Sequence, residues 1–180
     1  MTTTLAKARF SQLVLPRLDE GYRLARWLTG SATDAEDVLQ DASLRAYRAI
    51  ESFAEGNARA WFLTIVRNAC YSWLEKRRPG VTLSSEALDA SDAATLEQGG
   101  AFAPAFETPE SLLLAKDEAA RLARAVDALP VALKEALVLR EYHGLSYREI
   151  AEVSGAPIGT VMSRLARARQ QLLKGLEAQN

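Results

Sequence analysis

The segment from Gly144 to Lys174 limits the possible folds of this chain most, because it carries the start and stop signals of two successive helices. Ser146 and Glu149 have the spacing of a capping box, which marks the beginning of a helix. Gly155 follows where the chain has to turn sharply, and Pro157 suits the first turn of the next helix. The segment is therefore predicted to form a helix–turn–helix.

The second of these helices is predicted to have a basic outer face. Its apolar residues recur at helical spacing and are expected to pack inward: Val161, Leu165, Ala168 and Leu172. Polar residues fall on another face and are expected to point outward: Thr160, Ser163, Arg164 and Arg167. Between Ala156 and Lys174 there are four basic residues and no acidic one. A basic helix after a tight turn suits the major groove of DNA; the alternative is a helical hairpin whose arginines are only solvated.

The rest of the chain is also helical in pattern. Apolar residues recur at intervals of three and four, and alternating strand patterns are nearly absent, which predicts an all-α fold. The pattern fails over residues 80–107, and the stretch from Pro79 to Glu110 has six acidic residues and no basic one. We expect two small helical domains, residues 1–79 and 108–180, joined by a flexible acidic linker, residues 80–107.

Helix boundaries follow from caps and apolar spacing. In the first domain we expect helices over about residues 11–28, 33–47 and 58–78, and in the second over about 108–129 and 130–142. Thr33 is expected to open the second of these, with Glu36 as its capping-box partner.

The few reactive side chains argue against an enzyme. One cysteine, Cys70, and one histidine, His143, exclude an internal disulfide and a cysteine-rich metal site, and both are expected to be structural. We find no glycine-rich phosphate loop and no paired catalytic carboxylates, so we expect no catalysis, no cofactor and no metal. No apolar run reaches membrane-spanning length and the first ten residues lack a signal-peptide core, so a cytoplasmic protein is expected.

Two helices of the first domain have surfaces with more than one interpretation. The helix over residues 58–78 interleaves five cations with Trp61, Tyr71 and Trp73, which suits phosphates and unpaired bases; the alternative is that the aromatic residues form a core. The helix over residues 33–47 has an acidic and amide face, which is either solvated or a docking surface for a large partner.

Three motifs together resemble the extracytoplasmic-function sigma factors, the smallest sigma-70-type transcription initiation factors of bacteria. Residues 34–47 are similar to region 2.2 of that family, residues 60–68 to the start of region 2.4, and residues 144–169 to region 4.2. The resemblance covers nearly the whole chain apart from the linker. Three points depart from the family pattern: Met162 replaces a common Lys or Arg, Asp41 a common Glu, and Ala166 is smaller than usual.

The resemblance implies a role for three sets of residues. Docking on the β′ clamp of core RNA polymerase would involve Asp37, Gln40, Asp41, Leu44 and Arg45. Capture of the opened −10 element would involve Phe53, Trp61, Asn68, Lys76 and Arg77. Reading of the −35 element would involve Thr160, Met162, Ser163, Arg164 and Arg167. The implied partners are core polymerase, through its β′ clamp and β flap, promoter DNA and an anti-sigma factor.

Two other functions remain compatible with the sequence. A stand-alone helix–turn–helix regulator would bind its DNA site without polymerase. A sigma-like interaction module would sequester an anti-sigma factor and make no use of DNA.

Overall fold

The structure of the protein is a computed structural model that describes residues 2–77 and 109–178, with side chains over residues 4–77 and 116–178. Every regular element in these ranges is a helix, which confirms the predicted all-α fold of two small helical domains. The predicted linker, residues 80–107, lies outside the described residues.

The elements alternate with short connections. The described part of the first domain contains α1 (Thr2–Leu13), a 3-10 turn (Leu15–Arg17), α2 (Leu18–Thr29), α3 (Ala32–Ala49) and α4 (Ala58–Arg77). The described part of the second contains α5 (Pro109–Asp127), α6 (Val131–Leu137) with a π-helical turn (Val138–Tyr142), α7 (Tyr147–Ser154) and α8 (Ile158–Glu177).

The predicted single helix over residues 11–28 is wrong. The chain forms α1, then the 3-10 turn, and begins α2 only at Leu18. Pro16 lies in the turn, and it prevents a continuous helix because it lacks a backbone N–H and its ring clashes with the preceding turn. Val14 at this junction is fully buried, so the interruption is part of the core.

The caps of α7 agree with the sequence prediction, and the cap of α3 differs from it. Ser146 and Glu149 form the predicted capping box, and Gly155 ends α7 with a φ of 68° in the left-handed region. The cap of α3 is Ser31, whose hydroxyl accepts a hydrogen bond from the Asp34 N–H, so the prediction of Thr33 as cap is wrong. Helix α3 therefore begins about half a turn earlier than expected.

The two domains share one core. Buried side chains of the first domain, such as Leu24 and Phe62, and of the second, such as Leu133 and Ile150, belong to a single contiguous apolar cluster. Helix α4 packs against α2 and α3 on one side and against α7 of the second domain on another. As a result, α4 lies at the centre of the molecule.

Gly21 of α2 faces side chains of α3 and α4 at short distance. A Cβ atom at this position would lie 2.9 Å from Phe62 Cε1, 3.0 Å from Leu39 Cδ1 and 3.2 Å from Val66 Cγ2. We expect Gly21→Ala to lower the free energy of unfolding by about 1–3 kcal/mol in urea denaturation, because overpacking outweighs the better helix propensity of alanine.

The matched control for Gly21→Ala is Gly175→Ala in α8, where the nearest atom to an added Cβ is Ala125 Cβ at 3.9 Å. That contact is ordinary, so Gly175→Ala should leave the unfolding free energy unchanged or raise it by up to about 1 kcal/mol. Equal gains in both variants would contradict the close approach at Gly21.

Three further observations concern a reactive thiol, a metal site and a membrane-spanning helix. Cys70 is fully buried, and burial, with the Glu135 carboxylate nearby, raises the pKa of its thiol to about 12, so the thiol stays protonated. Within the described residues, His, Cys, Asp and Glu side chains form no group of three that is suited to a metal ion. No helix in these ranges has the length and apolarity that crossing a membrane requires.

Candidate functional site

Helix α3 presents the five predicted docking residues as one exposed stripe. Its opposite side is buried through the small or branched residues Ala35, Val38, Ala42 and Ala46. The exposed stripe, called the α3 stripe below, consists of Asp37, Gln40, Asp41, Leu44 and Arg45. Asp41 and Arg45 form an ion pair of 2.7 Å across one helical turn, and Leu44 between them is 53% exposed. The structure thus brings all five side chains together around an exposed leucine.

Three of the five residues predicted to capture the −10 element lie on one side of α4. Phe53, in the loop before α4, packs on Trp61 with ring centroids 4.6 Å apart, and both rings are half-buried. Asn68 lies two turns further along the same helix face and is exposed. Its Oδ1 accepts a hydrogen bond of 3.2 Å from Arg67 Nη1. Phe53, Trp61 and Asn68 are called the aromatic cluster below.

The other two residues of that set lie apart from the aromatic cluster. Lys76 and Arg77 are exposed at the C-terminal end of α4, about 22 Å from Trp61 along the helix axis at 1.5 Å per residue. Arg77 Nη2 lies 3.0 Å from Asp34 Oδ1, and its guanidinium lies 4.8 Å from the centre of the Trp73 ring. The basic end of α4 is therefore a second, separate surface.

Helix α8 exposes most of the residues predicted to read the −35 element, but not all. Met162 is 48% exposed, Thr160, Ser163 and Arg167 are partly exposed, and the Ser163 hydroxyl donates to the Thr160 carbonyl at 3.0 Å. The prediction that Arg164 points outward is wrong, since this residue is only 3% exposed.

The burial of Arg164 follows from its place on the helix. It lies three residues after Val161 and four before Ala168, both fully buried, and thus in the row of side chains that packs inward. Its Nε atom is buried without a hydrogen-bond partner among the described residues. Arg164 accordingly belongs to the packed side of α8 in this arrangement.

A buried ion pair joins the two domains, and no sequence pattern pointed to it. Arg67 Nε of α4 lies 2.6 Å from Glu135 Oε1 of α6, and the Tyr71 hydroxyl donates to Glu135 Oε2 at 2.7 Å. The Arg67 guanidinium also lies 3.8 Å from the centre of the Tyr71 ring. Glu135 is 1% exposed. These three residues are called the interdomain clasp below.

The surroundings of the clasp raise the pKa values of Arg67 and Tyr71. Burial alone would lower the pKa of Arg67, but the Glu135 carboxylate outweighs that effect and the pKa is raised. Burial and the same carboxylate raise the pKa of Tyr71, so its hydroxyl remains a donor. Arg67 is one of the five cations of residues 58–78 that were considered for binding phosphates. In this arrangement it forms an ion pair with Glu135 instead.

A second network joins the start of α4 to the second domain. Arg59 Nε lies 2.6 Å from Glu20 Oε2, and its Nη2 donates to the carbonyl of His143 at 2.6 Å. Asn57 donates from Nδ2 to Glu149 Oε1 at 3.0 Å, and its Oδ1 accepts from the Ala60 N–H. Glu149 thus completes the capping box of α7 and also accepts a hydrogen bond from Asn57, whose side chain caps the start of α4.

His143 is buried beside this network, as expected for a structural histidine. Its Nδ1 lies 4.0 Å from Glu20 Oε2, and its Nε2 has no hydrogen-bond partner among the described residues. Burial, opposed by Glu20 and aided by Arg59 and Arg23, lowers the pKa of His143 from 6.5 to about 4. The imidazole is therefore neutral in the folded chain at neutral pH.

The buried neutral histidine predicts a loss of stability in mild acid. Between pH 6.5 and 4 the unfolded chain binds a proton at His143 that the folded chain does not, so stability is complete above pH 6.5 and falls as the pH is lowered. The loss reaches about 3 kcal/mol at pH 4 in urea denaturation. The His143→Gln variant should lack this component, and an unchanged pH profile in the variant would rule out His143 as its source.

Two segments of the chain match models of known protein families. Residues 13–79 match the family model for Sigma-70 region 2, and residues 119–172 match the model for Sigma-70, region 4. Among curated relatives, the ECF RNA polymerase sigma-E factor of Escherichia coli (strain K12) is 39% identical over 142 residues, which cover 77% of this chain and 72% of the relative. The RNA polymerase sigma-H factor of Pseudomonas aeruginosa is 35% identical over 95% of this chain and 88% of the relative.

Two solved structures share the arrangement of most of the chain. The sigma factor RpoE of Bartonella quintana, in complex with the anti-sigma factor NepR, is 28% identical with a TM-score of 0.66, over 95% of this chain and 98% of that one. CnrH in complex with the cytosolic domain of CnrY is 26% identical with a TM-score of 0.65, over 95% of this chain and 89% of that one.

Proposed function

The chain belongs to the ECF RNA polymerase sigma factors, and from this membership we propose that it directs core RNA polymerase to promoters with −35 and −10 elements and assists strand opening. It is a specificity subunit and performs no chemistry of its own. The observation that carries this proposal is the α3 stripe, where an exposed Leu44 lies among charged and amide side chains. An apolar residue surrounded by polar ones is typical of a protein-docking surface, and a stand-alone regulator does not need one.

The surfaces divide the work between the domains. Residues 1–79 bind polymerase through the α3 stripe, which docks on the β′ clamp, and hold opened −10 strand at the aromatic cluster, where ring faces stack on unpaired bases. The basic end of α4, Lys76 and Arg77, supplies positive charge for the phosphates of the same strand. Residues 108–180 read duplex −35 DNA and contact the β flap.

The −35 surface is smaller than the sequence pattern predicts. Thr160, Ser163 and Arg167 form its polar part, and Met162 supplies an apolar contact of the kind that recognises a thymine methyl group. Arg164 is left out of this surface while it is buried. Base reading by α8 therefore depends on few charged contacts.

An anti-sigma factor is a further proposed partner. The similar solved structure from Bartonella quintana is a sigma factor bound to an anti-sigma factor, and this supports the same class of partner here. A protein that binds core polymerase and promoter DNA acts in the cytoplasm.

The test is transcription in vitro from genomic fragments with bacterial core polymerase, with and without the purified chain. We expect start sites that appear only in the presence of the chain, preceded by a common pair of −35 and −10 sequences. Absence of such start sites would sink the proposal. Anti-sigma binding without transcription would favour the sequestering module.

A gel-shift measurement at physiological salt separates the remaining alternative. The isolated chain is expected to bind these promoter fragments weakly and to shift them specifically only with core polymerase. Tight specific binding by the isolated chain would favour a stand-alone helix–turn–helix regulator.

A further inference from the structure

We propose that Arg9 of α1 is a positioning residue that holds the Phe53 loop in the shape needed to receive an unpaired base. Arg9 Nη2 donates to the Phe53 carbonyl at 2.5 Å and lies 3.4 Å from the Ala54 carbonyl. Arg9 precedes residues 13–79, the segment that matches the Sigma-70 region 2 model. The inference rests on the proposed role of Phe53 in strand capture.

Helix α1 is itself fixed to the rest of the domain, so Arg9 acts from a firm support. Ala6 is buried, and the Phe10 ring meets the Tyr47 ring of α3 edge to face at a centroid distance of 5.5 Å. The fully buried Val14 follows directly after the end of α1. The Arg9 guanidinium thus connects a packed helix to the loop before α4. Its contact there, the Phe53 carbonyl, lies 44 positions later in the chain.

The loop needs such a support at Phe53. Its entry is held by the Ser52 and Phe53 N–H groups, which both donate to the Ala49 carbonyl at 3.1 Å. The Phe53 N–H thus holds the peptide plane before Phe53, and Arg9, through the Phe53 carbonyl, holds the plane after it. Hydrogen bonds from a charged donor are roughly twice as strong as neutral ones, so one side chain can hold this plane.

The orientation of that peptide plane decides where the Phe53 ring lies. In the structure the ring rests against Trp61 and leaves the cluster partly exposed. A ring that is already ordered loses less conformational entropy when it stacks on a base. Arg9 should therefore affect capture of the opened strand, and it should not affect docking on polymerase or reading of the −35 duplex.

The experiment compares reconstituted holoenzymes on one promoter, with permanganate reactivity of −10 thymines as the measure of strand opening. We expect Arg9→Ala to lower the amount of open complex about 10-fold, which is the effect of losing one charge-assisted hydrogen bond. Arg9→Lys, which keeps the charge and offers a single donor group, should give an amount of open complex between those of Arg9→Ala and the unaltered chain. Lys7→Ala, which removes a nearby exposed cation, is the matched control and should behave like the unaltered chain.

A double substitution tests whether Arg9 acts through Phe53. In a Phe53→Ala background the further change Arg9→Ala should have little effect on opening, since the side chain that it positions is gone. An equal drop in both backgrounds, or a parallel drop in core polymerase binding by Arg9→Ala or Arg9→Lys, would overturn the proposal. So would normal opening by Arg9→Ala.

The two possible failures are distinguishable. If the unaltered chain opens no promoter, the proposed function fails. If the unaltered chain opens promoters and the Arg9 variants do so equally well, only the positioning role fails.

Discussion

Replacing Glu135 by alanine is expected to lower the free energy of unfolding by about 3–5 kcal/mol, the range found when one partner of a buried ion pair is removed. The reason is that Arg67 and Tyr71 stay in the domain interface without the carboxylate that both contact. Chemical denaturation followed by tryptophan fluorescence measures the change, since Trp61 lies on α4 together with Arg67.

The matched control is Glu141→Ala. Glu141 also pairs with an arginine, Arg169, at 2.7 Å, but it is 53% exposed, so its loss should cost less than about 1 kcal/mol. A double change, Arg67→Met with Glu135→Leu, should recover most of the stability lost in Glu135→Ala, because neither charge is then left unpaired. Similar losses in Glu135→Ala and Glu141→Ala would show that the clasp is not a buried pair in solution.

Asp37→Arg is expected to weaken binding to core polymerase about 10- to 100-fold, equivalent to about 1.4–2.7 kcal/mol. Asp37 is exposed on the α3 stripe, so the reversed charge changes the docking surface without disturbing the core of the domain. Binding to fluorescently labelled core polymerase measures the affinity directly.

The control for Asp37→Arg is Glu118→Arg, the same charge reversal at an exposed position of α5 in the other domain. It should leave core binding unchanged, and the thermal unfolding of both variants should match that of the unaltered chain. The reciprocal change, Arg167→Ala in α8, should lower promoter activity and spare core binding. If Asp37→Arg and Glu118→Arg bind core polymerase equally well, the α3 stripe is not the docking surface.

Local sequence signals were reliable where a short segment determines its own structure. The capping box of Ser146 and Glu149 and the left-handed Gly155 depend only on neighbours within a turn, and both are confirmed. Periodicity was less reliable at Arg164, because the edge of an apolar helix face is decided by what packs there. Helix α1 was missed in large part because its apolar residues show little periodicity.

Contacts between distant residues were beyond the sequence pattern. Glu135 lies 68 positions after Arg67, and both residues taken alone are typical of a solvated helix face. The contact between Arg9 and the Phe53 carbonyl was also beyond the sequence pattern, since the two residues lie 44 positions apart. A buried charge is predictable only when its partner is known, and a single sequence does not reveal the partner.

The stability of the interdomain clasp also affects the affinity of any ligand that requires the two domains to be apart. A ligand that requires the two domains to be apart binds only the open fraction of the population, so its apparent dissociation constant is the intrinsic one divided by that fraction. If the closed form is favoured by about 2.7 kcal/mol, roughly one molecule in a hundred is open and apparent affinity falls about 100-fold. Each hydrogen bond to Glu135 thus lowers the apparent affinity of every partner that binds only when α4 and α6 are apart.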